Sequence, residues 1–276
     1  MKVLITVKAY PSIAKKYNET VCTAGITEDG KWIRIYPIPY RLLDYENQFR
    51  KYEWIELDLV RNKSDFRPET YRPKDIQLKD FKSLGFIKPD GASWTERRPL
   101  VLKKVYNSLN ELIAQAKDKQ ICTSLATFKP SKILDFVYKE TEREWSSEKL
   151  EYLRSKKLQM SMFDNENQND ISDFEVVDKL PYKFSFIFED IDGIESKLMI
   201  EDWETGMLYW RSFIRYNGDE QKACEDVKKK YFDDFAKTKD YYFFLGTTKR
   251  HHYVALNPFV IIGDFRPKHI IQEGLF

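Results

Sequence analysis

Thr27-Glu28-Asp29-Gly30-Lys31-Trp32-Ile33-Arg34-Ile35-Tyr36 is the stretch that decides the fold. Asp-Gly is a strong hairpin signal, because the favoured two-residue turn needs positive φ at both central positions. The runs on either side, Thr20–Thr27 and Trp32–Ile38, are rich in residues that suit strands. Side chains alternate across a strand, so Trp32, Arg34 and Tyr36 share one face while Ile33 and Ile35 share the other. Working outward, Val3–Ala9 and Trp54–Val60 read as two further strands. The first sixty residues therefore predict a β-meander, a twisted sheet or partial barrel.

Residues 61–92 are extended and broken by prolines. Ser93, with Glu96 three residues on, reads as a helix N-cap, although Pro99 moves the expected start towards Leu100. Asn107–Lys119 reads as a helix with Leu109, Leu112, Ile113 and Ala116 on one stripe. Ile133–Tyr138 reads as a strand and Ser146–Leu158 as a short helix. Beyond a polar, amide-rich linker at 161–173, Tyr182–Phe188 and Lys197–Ile200 pair around Asp192-Gly193. Helices over Asp202–Tyr216 and Asp219–Phe235 precede closing strands at Tyr241–Thr247 and Phe259–Phe265. The reading is an α+β protein: a basic, β-rich part over 1–160, then an acidic α/β part over 174–276, either as two domains or one continuous one. The partial barrel resembles the oligonucleotide-binding (OB) and PUA-like barrels in architecture alone, since no motif of either is present.

Charge divides the same way. Residues 1–160 hold 31 Lys+Arg against 22 Asp+Glu, whereas residues 161–276 hold 15 against 22, which leaves the net charge of +2. The basic surplus is densest over Arg61–Lys104, with twelve cations and six acids. Such asymmetry points to a polyanion on one surface, unless the two parts pack through opposite charges. Cys22, Cys122 and Cys224 are single and far apart, which excludes a disulfide framework and a structural zinc motif and fits a reducing, cytoplasmic setting. The compact length suits a prokaryotic chain, and no apolar run reaches membrane-spanning length.

Six of the eleven prolines follow a cation: Arg67-Pro68, Arg72-Pro73, Lys88-Pro89, Arg98-Pro99, Lys129-Pro130 and Arg266-Pro267. A residue before proline is held extended, so its cation loses less freedom on gripping a phosphate. Phe66, Tyr71 and Phe265 precede three of these cations, and Asp65-Phe66-Arg67-Pro68 recurs as Asp264-Phe265-Arg266-Pro267. The first expectation is a protein that binds DNA or RNA. Its phosphate contacts would come from Arg34, Arg41, Arg67, Arg72, Arg97 and Arg98, with stacking on Trp32, Tyr36, Phe66 and Tyr71.

A second expectation is a Mg²⁺-dependent nuclease. Asp190 and Asp192, followed by Glu195 and Lys197, resemble over eight residues the PD-(D/E)xK layout, in which acids hold the metal and Lys orients water. The competing role of these acids is turn chemistry. His251 and His252, in Lys249-Arg250-His251-His252, are weak acid/base or phosphate candidates and a poor metal pair. A third expectation is an interaction subunit that docks a protein partner on its acidic half. No Walker loop or GxGxxG is present, so no cofactor is expected apart from Mg²⁺ in the nuclease reading.

Overall fold

The turn at Asp29-Gly30 forms: Gly30 sits at φ 81°, Thr27 N–H donates to Lys31 O at 3.0 Å, and Ile26 faces Trp32 across the hairpin. The structure, a computed structural model, describes residues 1–14, 18–90, 94–148, 150–151 and 176–269. The Ser93 cap and the 161–173 linker lie outside the described residues, as does the end of the Ser146–Leu158 helix.

Strands β1 (Lys2–Lys8), β2 (Ser12–Ala14), β3 (Asn18–Thr27), β4 (Trp32–Ile38), β5 (Glu53–Glu56), β6 (Leu59–Arg61), β7 (Thr70–Pro73) and β8 (Lys82–Phe86) form one sheet. Its order is β6-β7-β4-β3-β1-β5-β8, with β2 paired to β3. Every pairing is antiparallel except that of β4 with β7. Register shifts at Ile5/Val7, Val21/Thr23 and Trp54/Ile55 curl the sheet into a half-barrel. At Gly25 a Cβ would lie 2.3 Å from Leu4 O, so only glycine lets β3 and β1 approach this closely. The strand expected over Trp54–Val60 is two strands. Leu57 N–H bonds Met1 O, Asp58 O accepts from Lys74 N–H, and the chain then leaves β1 for β7. One face of this sheet buries a largely aliphatic cluster, among it Val3, Ile5, Val21, Ile33, Ile35, Ile55 and Leu57.

The rest of the chain follows as α1 (Arg98–Val101), β9 (Val105–Tyr106), α2 (Leu109–Lys117), β10 (Leu125–Phe128) and β11 (Lys132–Glu140). Then come β12 (Tyr182–Glu189), β13 (Glu195–Met199), α3 (Trp203–Arg215), α4 (Glu220–Lys228), β14 (Tyr242–Thr247) and β15 (Phe259–Phe265). Ser108 caps α2 by accepting from Glu111 N–H, and Leu109, Leu112 and Ala116 are its buried stripe. Asp202 and Asp219 cap α3 and α4 in the same way. The helix expected to Phe235 continues beyond α4 as a π-helical stretch, Lys229–Ala236. Two sheets, β15-β14-β10-β9 and β11-β12-β13, enclose a core dominated by rings, including Phe128, Phe136, Phe184, Phe186, Phe188 and Phe243.

The two parts meet through ion pairs of opposite charge, among them Lys51 with Asp202 and Arg98 with Asp240, and through apolar packing. Val7, Ala24, Ile26 and Tyr52 from the half-barrel pack with Leu125, Phe244, Ile262 and Phe265 in a shared apolar core. Trp32 meets Phe244 edge-on at 5.2 Å, and Trp94 lies 5.2 Å from Phe265. Burial of this kind costs about 3–5 kcal/mol when a phenylalanine is cut to alanine. The isolated bridge from Ala9 to Asp202 ties the end of β1 to the start of α3.

Candidate functional site

Where the two parts join, a cleft of about 420 Å³ opens, within the size range of small-ligand sites. Lys8, Arg50, Lys51, Tyr52, Phe86, Pro89, Trp94 and Arg97 line it from the half-barrel, and Trp203, Glu204, Asp264 and Arg266 from the other part. Two bulky residues in its wall hold left-handed backbone: Tyr52 at φ 65° and Trp94 at φ 53°. Such backbone is costly for side chains of this size and survives only where surroundings enforce it. At Tyr52 the enforcement is visible. Its N–H donates to Ile5 O at 2.5 Å and its carbonyl accepts from Ile87 N–H at 2.9 Å. The turn points Lys51 and Tyr52 into the seam together.

The cations fall into two groups. Lys51 and Arg266 are neutralised: Lys51 Nζ lies 2.6 Å from Asp202 Oδ1 and 3.5 Å from Glu204 Oε2, while Arg266 pairs with Asp264 and Glu204. Burial opposes the Lys51 charge, but Asp202 and Glu204 outweigh it and raise its pKa. Burial lifts the Asp202 carboxyl to about 6, against the pull of Lys51, whereas Lys51 above all holds Glu204 below its ordinary value.

Lys8, Arg50 and Arg97 have no carboxylate partner among the described residues. Lys8 Nζ donates to Tyr40 Oη at 3.1 Å and Phe49 O at 3.3 Å, and it sits 4.3 Å from the centre of the Tyr40 ring. Burial and then the Lys51 ammonium lower its pKa to about 8. Arg97 is buried, with Nε and Nη2 donating to Ile87 O, and its guanidinium stacks 3.9 Å over Tyr52 and 5.1 Å from Trp94. Arg50 is exposed and stands 5.8 Å over Phe86. Against the five cations stand Glu204 and Asp264 in the lining and Asp202 behind them, so a positive surplus remains. The Tyr52 hydroxyl is buried without a hydrogen-bond partner.

Of the residues expected from sequence to hold nucleic acid, only Arg97 lines this cleft. Trp32 and Tyr71 line a second cleft, of about 500 Å³, where Lys31 is paired with Asp29 and Glu69 accepts from Ser124. Arg34 and Arg67 are interior groups. Arg34 donates to Thr70 Oγ1, Ser124 and Thr247 O, and Arg67 grips Asp65 and the same Thr247 carbonyl. They fasten the half-barrel to β10 and β14. Tyr36 is half-buried and accepts from Thr20 Oγ1, and Arg41 pairs with Glu19 at 2.7 Å. Arg98 shares Asp240 with Lys129. Thus four of the six proline-linked cations sit in ion pairs, and Arg72 and Lys88 are exposed. Phe66 is exposed and stacks on Tyr253 at 4.9 Å.

The acids of the nuclease reading carry local structure. Asp190 accepts from the backbone N–H groups of Leu109, Asp192 and Ile194, and Asp192 accepts from Ser108 Oγ. Glu195 and Lys197 are exposed on β13. Among the described residues no group of three or more His, Cys, Asp or Glu is arranged to hold a metal ion. His251 is exposed against Thr248, while His252 is buried between Thr247 Oγ1 and Ala116 O. Cys122 Sγ lies 3.5 Å from His252 Nε2, but burial raises the thiol's pKa and lowers the imidazole's, which keeps both neutral.

Lys8, Arg50, Lys51, Tyr52, Phe86, Trp94, Trp203 and Glu204 are site residues that sequence reasoning did not single out for binding. One signal existed: the repeated Asp-Phe-Arg-Pro marks two places where an arginine clasps the aspartate two residues before it, Arg67 on Asp65 and Arg266 on Asp264.

These observations define an α+β protein whose two parts share a cationic cleft walled by aromatic rings. Residues 105–276 match the family described as Domain of unknown function (DUF8757); the match covers more than half of the chain, and the chain belongs to that family. Residues 1–103 match a second, described as Domain of unknown function (DUF8758). The cleft therefore takes residues from both matched segments. No curated protein matches the chain. Among the described residues no helix is long and apolar enough to cross a membrane.

Proposed function

We propose that this chain binds single-stranded nucleic acid, DNA or RNA, and that the cleft between its two parts seats a nucleotide of that strand. The observation that carries the reading is the juxtaposition of Lys8, Arg50 and Arg97, without carboxylate partners among the described residues, with the rings of Tyr52, Phe86, Trp94 and Trp203. Unstacked bases gain about 1–3 kcal/mol each on aromatic surfaces, and cations beside those surfaces hold the phosphates. Arg97 supports this best, since its guanidinium is already fixed by Ile87 O and Tyr52 and loses little freedom on binding. Three free thiols, two of them buried, fit action in a reducing cytoplasm.

The test is fluorescence anisotropy of labelled single-stranded DNA and RNA across a salt series. The expected result is binding that weakens as salt rises, with a shallower salt slope in Arg50→Ala and Arg97→Ala. No binding at low salt, or equal slopes in both variants and the parent, refutes the reading.

A further inference from the structure

Phe66 and the Lys249–His252 loop are left out of the cleft, and they meet on another face. Five of the large apolar side chains exposed to solvent gather there: Phe66 (44% exposed), Ile121 (50%), Tyr253 (38%), Val254 (82%) and Leu256 (91%). The contacts that unite them are specific. Phe66 stacks on Tyr253, Tyr253 Oη bonds Cys122 Sγ next to Ile121, and Lys249 Nζ donates to Ser64 O. Lys63, Lys119 and Arg250 are exposed around the patch and have no carboxylate partner among the described residues. An apolar patch with a charged rim marks a docking surface.

The complement to this surface is on the same chain. The β12–β13 hairpin tip, Glu189-Asp190-Ile191-Asp192-Gly193-Ile194-Glu195, exposes Ile191 (66%) and Ile194 (41%), each followed closely by an acid, Asp192 or Glu195. Asp190 is spent on holding the turn, so Asp192 and Glu195 are the charges it offers. Helix α2 links the two surfaces. Its N-terminal end bonds Asp190 and Asp192, and Ala116 near its C-terminal end accepts from His252. At nine residues it is about 13 Å long, so hairpin and patch are near neighbours that the helix holds apart.

We infer that two copies of the chain form a closed dimer, in which the hairpin tip of each seats Ile191 and Ile194 on the Phe66–Tyr253–Leu256 patch of the other. Asp192 and Glu195 then face Lys63, Lys119 and Arg250. Because each copy carries both surfaces, a two-fold axis satisfies both contacts and stops at two.

Sedimentation velocity of the purified chain tests this. The expected result is a monomer–dimer equilibrium, shifted at least tenfold towards monomer by Leu256→Asp or by Ile191→Asp, with each variant keeping the parent's circular dichroism. Arg250→Glu weakens the dimer, and adding Glu195→Lys restores it. A monomer at every concentration, a dimer indifferent to these changes, or a charge swap that restores nothing overturns the inference. So does a monomer whose patch instead takes up anionic vesicles or oligonucleotide.

Discussion

Replacing Lys51 with methionine removes one charge from a seam where charges are almost sealed from water. The Lys51 side chain is 10% exposed and the Asp202 side chain 4%, and the two are 2.6 Å apart. Methionine fills most of the same space but leaves Asp202 without its cation, with Glu204 still near. Breaking a buried pair from one side costs about 3–5 kcal/mol. At about 2–4 °C per kcal/mol for a chain of this size, the thermal midpoint should fall by about 6–20 °C.

The loss should depend on pH. Burial already raises the Asp202 carboxyl to about 6, and removing Lys51 raises it further. Between the ordinary carboxylate pKa and the raised one, the folded chain holds the proton that the unfolded chain has lost. Stability of the variant therefore falls as pH rises through that window. Circular dichroism melts at pH 5 and pH 8 check this, with a larger deficit expected at pH 8. Lys51→Met with Asp202→Asn should recover most of the loss, because asparagine still caps α3 and carries no charge. A midpoint lowered by less than about 2 °C at pH 8, or a larger deficit at pH 5, refutes the reasoning.

Three further outcomes are expected. Oligonucleotide affinity should weaken as pH climbs past about 8, where Lys8 loses its proton, and Lys8→Gln should flatten that profile in anisotropy titrations. Arg97→Lys should bind little better than Arg97→Ala, because a lysine cannot reproduce the planar stack on Tyr52; full retention of affinity in the lysine variant contradicts this. Tyr52→Phe removes an orphaned buried hydroxyl and should stabilise the fold by about 1 kcal/mol in chemical denaturation, whereas a loss of that size would mean that the hydroxyl has a partner.

Local signals carried the fold far. The Asp29-Gly30 turn and the apolar stripe of α2 each depend on residues within a few positions of one another, and both form. The break between β5 and β6 was hidden, because it arises when the chain exchanges β1 for β7 as its neighbour. The site was less legible for the same reason. Arg34 and Arg67 read as surface cations until β10 and β14 cover them and Thr247 O accepts from both. Lys8, Tyr52 and Trp203 come from three distant segments, and nothing near any of them in sequence foretells the seam that unites them. The charge asymmetry between the halves remains real, but much of it is spent in pairs such as Arg98 with Asp240.

Photocrosslinking tests the central claim most directly, using a single-stranded oligonucleotide that carries a photoreactive uridine analogue, followed by peptide mapping. Adducts are expected in the peptides that hold Phe86, Trp94 and Trp203, suppressed by excess unlabelled strand and by Arg97→Ala. Adducts confined to peptides remote from the cleft, or none under conditions where the strand binds, would contradict it.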